Sequence, residues 1–152
     1  MLNIKKNQKE SLEFYTLDGN SLKQIYIYEP TVSAGFPSPA EDYLDTSLNL
    51  HKYLVKHPAA TFFVRAKGYS MEEAGICDGD LLVVDKSIEV KNRDIVIACL
   101  DGEFTVKRYI NNNKKIYLKA ENRSGSYPNI KITEEMGFEI WGVVTHTIHK
   151  NR

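Results

Sequence analysis

No stretch of this sequence approaches the ~18 consecutive apolar residues that a membrane-spanning helix needs. Lys5, Lys6 and Lys9 are followed by no apolar core, so the pattern of a secretory leader is missing too. Charge of one sign is also lacking: Lys plus Arg and Asp plus Glu both number 20, and the formal net charge is zero. Residues 1–34 are balanced in the same way, with Lys5, Lys6, Lys9 and Lys23 against Glu10, Glu13, Asp18 and Glu29. Without a basic stripe to grip phosphates, direct nucleic-acid binding is disfavoured, and partners are expected to be proteins. Cys77 and Cys99 have no C-x-x-C spacing and suit small thiols in a reducing cytoplasm. His51, His57, His146 and His149 show no ligand spacing joined to Cys or acidic partners, so neither a metal nor another cofactor is expected. The expectation is a soluble, cytoplasmic protein.

What is present is a series of short apolar runs between turn residues. Leu81 to Val84, Ile95 to Ala98 and Phe104 to Val106 are punctuated by Asp78-Gly79 and Asp101-Gly102. Such spacing reads as an antiparallel meander or small barrel. Ala60 to Ala66, Ile116 to Ala120, Ile130 to Ile132 and Glu139 to Ile148 supply further strands. In the last run, Val144, His146 and Ile148 are expected on one face and Val143, Thr145 and Thr147 on the other. No long 3.6-period helix is evident. At 152 residues the chain is long enough for one mainly-β domain with a sizeable core.

The first 34 residues have a different texture. Glu13 to Thr16 and Gln24 to Glu29 read as strands split by Asp18-Gly19-Asn20, and alternating Ile25, Tyr26, Ile27 and Tyr28 suggest an edge hairpin. The segment is too short for a DNA-binding domain with its own core, and reads as a mobile arm. Pro30, Pro37 and Pro39 with Gly35 then mark an extended, exposed linker. This divides the chain into an arm, 1–34, and a β-rich domain, 35–152. Within the latter, Asp45-Thr46-Ser47 is a candidate N-cap for a short helix that Pro58 ends.

One chemical possibility stands out. A serine hydroxyl is a poor nucleophile until a base takes its proton. The sequence has no Gly-x-Ser-x-Gly elbow and no evident Ser/His/Asp set. Ser70, two residues after Gly68, and Lys107, after Phe104-Thr105-Val106, offer a Ser/Lys pair instead. A lysine base must be neutral near pH 7 against an ordinary pKa of about 10.4, and burial in an apolar setting is the available lever. Serines near glycine and lysines on strands are common, so on residue chemistry alone a solvent-facing Lys107 beside Arg108 is the default reading.

Ordered motifs narrow the choice. Gly68-Tyr69-Ser70-Met71, Gly75 to Asp85, Asp94 to Ala98 and Asp101 to Lys107 resemble the LexA/UmuD family of self-cleaving SOS-response serine peptidases. Gly35 to Tyr43, His57 to Val64 and Gly142 to His146 add to the likeness, which covers residues 35–150. The resemblance implies a twisted, partly closed barrel-like β domain, with Ser70 as nucleophile and Lys107 as general base. It also implies cleavage between Ala34 and Gly35, with backbone N–H groups of Tyr69 and Ser70 as oxyanion donors. It further implies a homodimer whose cleavage is stimulated by the RecA–single-stranded-DNA filament. The product would be an accessory subunit of a Y-family translesion DNA polymerase. Arg93 departs from the pattern, standing where the family often has Gly before Asp-Ile-Val. Three rival readings are a signal-peptidase-like enzyme, a non-enzymatic phage or plasmid regulator of RecA or polymerase, and a LexA-like repressor fragment. The first lacks its membrane segment, and an arm this short argues against the last.

Overall fold

Strands of two to eleven residues dominate the computed structural model, which describes residues 12–15, 25–27 and 46–152. Ala34, Gly35 and the prolines around them lie outside the described residues. In chain order the strands are β1 (Glu13–Tyr15), β2 (Ile25–Ile27), β3 (Thr46–Leu48), β4 (Thr61–Arg65) and β5 (Leu81–Asp85). They continue as β6 (Ile95–Leu100), β7 (Glu103–Asn112), β8 (Lys115–Lys119), β9 (Ile130–Lys131) and β10 (Phe138–Ile148). The chain divides into two compact units, Met1–Leu17 with His57–Arg152, and Asp18–Lys56. Among the described residues no helix is long and apolar enough to cross a membrane.

The larger unit is an eight-stranded sheet ordered β1-β4-β5-β10-β6-β7-β8-β9, and its pairings are antiparallel. The mainly-β expectation holds; the sheet is twisted and open, with β1 and β9 at its ends. Asp101 (φ 49°) and Gly102 (φ 82°) form the two-residue turn from β6 to β7, where both central residues need positive φ. Period-2 alternation then sorts side chains onto two cores. Ile97 and Val106 join Phe62, Val64, Leu82 and Val84 on one face; Val96, Ala98 and Tyr109 join Leu118 and Val143 on the other.

The central strand β10 pairs β6 through its first half and β5 through its second. Two bulges interrupt it, leaving Trp141 and Thr145 as the extra residues. The first lets Ile140 and Val143 face one core while Trp141 and Val144 face the other. At Gly142 a Cβ would lie 2.7 Å from Val84 Cγ1 and 3.0 Å from the Asp85 carbonyl oxygen, so this close approach requires glycine. The second bulge overturns the simple alternation expected of Val144, His146 and Ile148. Val144 pairs Val84 but His146 pairs Val83, so His146 falls on the opposite face from Val144.

Two other expectations are corrected. β1 pairs β4 at the sheet edge while β2 pairs β3, so β1 and β2 do not form a hairpin with one another. Thr46 and Ser47 lie in β3 and do not cap a helix. The helix α1 (Leu50–Leu54) is capped by Asn49, whose side chain accepts the Lys52 N–H at 3.0 Å.

Candidate active site

The loop that follows β4 carries Ser70. Ala66 ties its base to the turn before β5: its N–H donates to Asp80 O (2.8 Å) and its C=O accepts from Gly79 (2.9 Å). Gly68, at φ 90°, donates its N–H to Asp78 Oδ1 at 2.7 Å. Glycine is the residue that adopts this φ without strain, which explains the Gly two positions before the serine. Met71, 1% exposed, then anchors the loop in the core beside Ile76. A third attachment comes from the chain after β8. Glu121 N–H donates to Ser70 O (2.8 Å), and Glu121 O accepts from Glu73 N–H (3.0 Å). Ser70 is thereby fixed from two sides and is 2% exposed.

Lys107 reaches it from β7. Val106 points into the first core, so Thr105, Lys107 and Tyr109 project from the other face. Lys107 is only 5% exposed. Its Nζ lies 2.9 Å from Ser70 Oγ, 2.8 Å from Thr105 Oγ1 and 3.1 Å from the Val106 carbonyl oxygen. The structure therefore brings together the serine and lysine singled out from the sequence. Thr105 was not singled out, although its position two residues before Lys107 on one strand face is a period-2 signal.

Arg108, the next residue, meets a carboxylate. Its Nε and Nη2 donate to Glu121 Oε1 (2.7 Å) and Oε2 (2.9 Å), and Nη1 donates to Arg93 O (2.9 Å). These hydrogen bonds outweigh burial and hold the Glu121 carboxyl below its ordinary value, while raising that of Arg108. Since the backbone of Glu121 also braces Ser70, this ion pair fixes the strut behind that serine.

Arg93 itself has φ 79°. That is the left-handed region which glycine adopts freely, and it accounts for the family's usual residue there. The turn forms nonetheless, closed by Lys91 N–H to Asp94 Oδ2 (2.8 Å) and Arg93 N–H to Tyr109 O (2.8 Å).

Tyr69 opens onto a cleft of about 640 Å3, lined also by Glu72, Glu73, Asn122, Arg123, Ser124, Ser126 and Tyr127. Asn122 donates from its side chain to the Tyr69 carbonyl, and Arg123 pairs with Glu73, joining the two cleft walls. The loop at 122–127 carried no functional signal in the sequence beyond its polarity. The backbone N–H groups of Tyr69 and Ser70 belong to the loop after β4; Ala34 and Gly35 are outside the described residues.

Comparison with known proteins finds relatives over most of the chain. The Peptidase S24-like family profile matches residues 24–145, a span that contains both Ser70 and Lys107. Protein MucA of Salmonella typhimurium is 42% identical over 136 residues, covering 89% of this chain and 91% of MucA. Protein SamA of the same species is 52% identical over 119 residues, or 78% and 81% of the two chains. The LexA repressor of Psychromonas ingrahamii is 37% identical over 117 residues, which are 77% of this chain but 55% of the repressor.

Proposed function

Because the chain belongs to the Peptidase S24-like family, we propose that it cuts its own Ala34–Gly35 bond with Ser70 as nucleophile and Lys107 as base. The observation that carries this reading is the 2.9 Å contact between Lys107 Nζ and Ser70 Oγ in a buried setting. Burial disfavours an ammonium relative to a neutral amine. A neutral amine has two N–H bonds and one lone pair. With Thr105 Oγ1 and Val106 O accepting the two hydrogens, the lone pair is directed at the Ser70 hydroxyl.

The reaction then runs in two stages. Ser70 Oγ forms a bond to the Ala34 carbonyl carbon as its proton passes to Nζ, and the N–H groups of Ser70 and Tyr69 stabilise the oxyanion. Collapse breaks the bond to Gly35, whose nitrogen leaves with the proton from Nζ. Water, deprotonated by Nζ in its turn, releases the acyl group from Ser70. Small residues at 34 and 35 suit close approach of the backbone to a buried serine.

In this reading residues 1–34 are the segment removed and 35–152 the part retained, acting as a homodimer in the cytoplasm. The motifs from Gly68 to Lys107 support placing it in the SOS response, with the RecA–single-stranded-DNA filament stimulating cleavage. The cleaved form would serve a Y-family translesion polymerase as an accessory subunit. Incubation at alkaline pH without partners tests the chemistry by itself. Wild type should yield a fragment beginning at Gly35 by mass spectrometry, and Ser70→Ala should stay intact while remaining folded. The same fragment from Ser70→Ala would overturn the assignment.

A further inference from the structure

Away from Ser70 and Lys107, the turn leading into β5 gathers side chains of metal-ligating type. Cys77, Asp80 and His149 each bring one donor atom, and the three lie within 4.8 Å of one another. Two of them sit on a tight turn closed by Asp80 N–H to Cys77 O at 3.1 Å, with Gly79 at φ 88°. The third comes from the far end of the chain. Pairing of Ile148 with Leu81 sets the next residue, His149, beside Asp80. Its position thus follows from the β10–β5 register.

The carboxylate is already oriented. Asp80 is 2% exposed, and its Oδ2 accepts the Cys77 N–H at 2.8 Å. Its Oδ1 points the other way and meets His149 Nδ1 at 2.5 Å. One oxygen is fixed by the protein and the other is presented to an imidazole, with a half-buried thiol alongside. A hydrogen bond behind a ligating carboxylate is the usual way a metal ligand is held in place.

We propose that Cys77, Asp80 and His149 form a binding site for a divalent ion of the Zn2+ class, with water as fourth ligand. Thiolate, imidazole and carboxylate together suit a borderline ion, whereas Mg2+ and Ca2+ seek oxygen-only shells. Zn2+ holds sulfur at about 2.3 Å and nitrogen or oxygen at about 2.0–2.2 Å. Reaching those distances needs the His149 ring to withdraw slightly from Asp80 and the thiol to close in. The half-exposed imidazole, beyond the end of β10, has room to do so. Binding releases the Cys77 proton to solvent, so affinity rises with pH. The ion would cross-link the chain after β10 to the turn that anchors Ala66 and Gly68, the base of the Ser70 loop. Scattered ligands explain why spacing gave no warning: Cys77 and Asp80 are close in sequence, but His149 is joined to them only by the sheet.

The test is titration of the full-length, metal-stripped protein with Co2+ and then Zn2+, beside Cys77→Ser, His149→Ala and Cys99→Ser. Wild type and Cys99→Ser should bind one Co2+ with a thiolate-to-cobalt charge-transfer band and the intense visible bands of four-coordination, all lost on adding Zn2+. Cys77→Ser should lack the charge-transfer band. Losing a group that only orients a ligand costs about 10–100-fold in metal affinity, so His149→Ala, which removes a ligand, should lose at least as much. Zn2+ should raise the melting temperature of wild type but not of Cys77→Ser or His149→Ala. No charge-transfer band in wild type, or a band that survives Cys77→Ser, would overturn the site, as would unchanged affinity in His149→Ala.

Discussion

Lys107 and Arg108 are neighbours on β7, yet the two faces of that strand treat their cations in opposite ways. Lys107 is 5% exposed and directs Nζ at two hydroxyl oxygens and a carbonyl. Arg108 is about a quarter exposed and forms a two-bond pair with a carboxylate. Burial weighs against the charge of an ammonium, whereas a carboxylate clamp fixes a permanent positive charge. Both side chains bear on the same serine: Lys107 Nζ contacts its Oγ, and Arg108 pairs with Glu121, whose backbone N–H donates to its carbonyl. In the function proposed above, one strand face supplies chemistry and the other supplies position.

The largest effect should come from making the Lys107 face resemble the Arg108 face. In Lys107→Arg a guanidinium, charged at every usable pH, replaces an amine that can lose its proton. Self-cleavage should fall by at least about 10²-fold, the low end of what a general base contributes, and should not recover on raising the pH. Wild type should cleave faster as pH climbs from 6 to 10, with no downturn until the fold fails. Initial rates across that range, measured by fragment accumulation, would check both. A bell centred near 7, or a pH-rescued Lys107→Arg, contradicts the lysine base.

A smaller effect should follow from dismantling the Arg108 face. Glu121→Gln leaves Arg108 partly buried with one acceptor in place of a carboxylate, at a cost of about 1–2 kcal/mol. The backbone bonds of Glu121 to Ser70 and Glu73 remain, so cleavage should slow without being abolished. The pH dependence has a definite sign. Arg108 holds the folded Glu121 carboxyl below its ordinary value of 4.5, so its contribution is present above that value and is lost as pH falls below it. Urea melts at neutral pH should separate wild type from Glu121→Gln, and the gap should narrow in acid. A gap that persists well below pH 4 would mean the destabilisation is steric.

The contrast between the two faces also marks what could be read from the sequence. The strands were legible because alternation and Asp-Gly turns act locally, as at Leu100-Asp101-Gly102-Glu103. The bulges at Trp141 and Thr145 were not, since an extra residue is specified by what packs on the partner strands. The misread cap has a similar origin. Asp45, Thr46, Ser47 and Asn49 share the same capping chemistry, and pairing of Thr46–Leu48 with β2 decides among them. Ser70 and Lys107 are common residue types, so only their ordered motif context set them apart before the 2.9 Å contact was seen. Glu121 and Thr105 act through backbone bonds and strand facing, which leave little compositional trace.

The smallest expected effect tests the edge of the Arg108 face. Arg93 contributes a backbone carbonyl to Arg108, and it does so from φ 79°, where a side chain strains against its own backbone. The bonds that hold the turn involve the main chain of Arg93, Lys91 and Tyr109 and the carboxylate of Asp94, none of which depends on the Arg93 side chain. Arg93→Gly should therefore keep the carbonyl and the turn, remove the strain and stabilise the fold by about 1 kcal/mol. Cleavage should be unchanged, because the acceptor for Arg108 stays in place. Thermal or urea unfolding of the variant beside wild type is the measurement. Destabilisation would show that the Arg93 side chain contributes more than its backbone conformation costs. The carboxylate of Glu121, already the partner of Arg108 and subject to the field of Arg93, would be the first contact to examine.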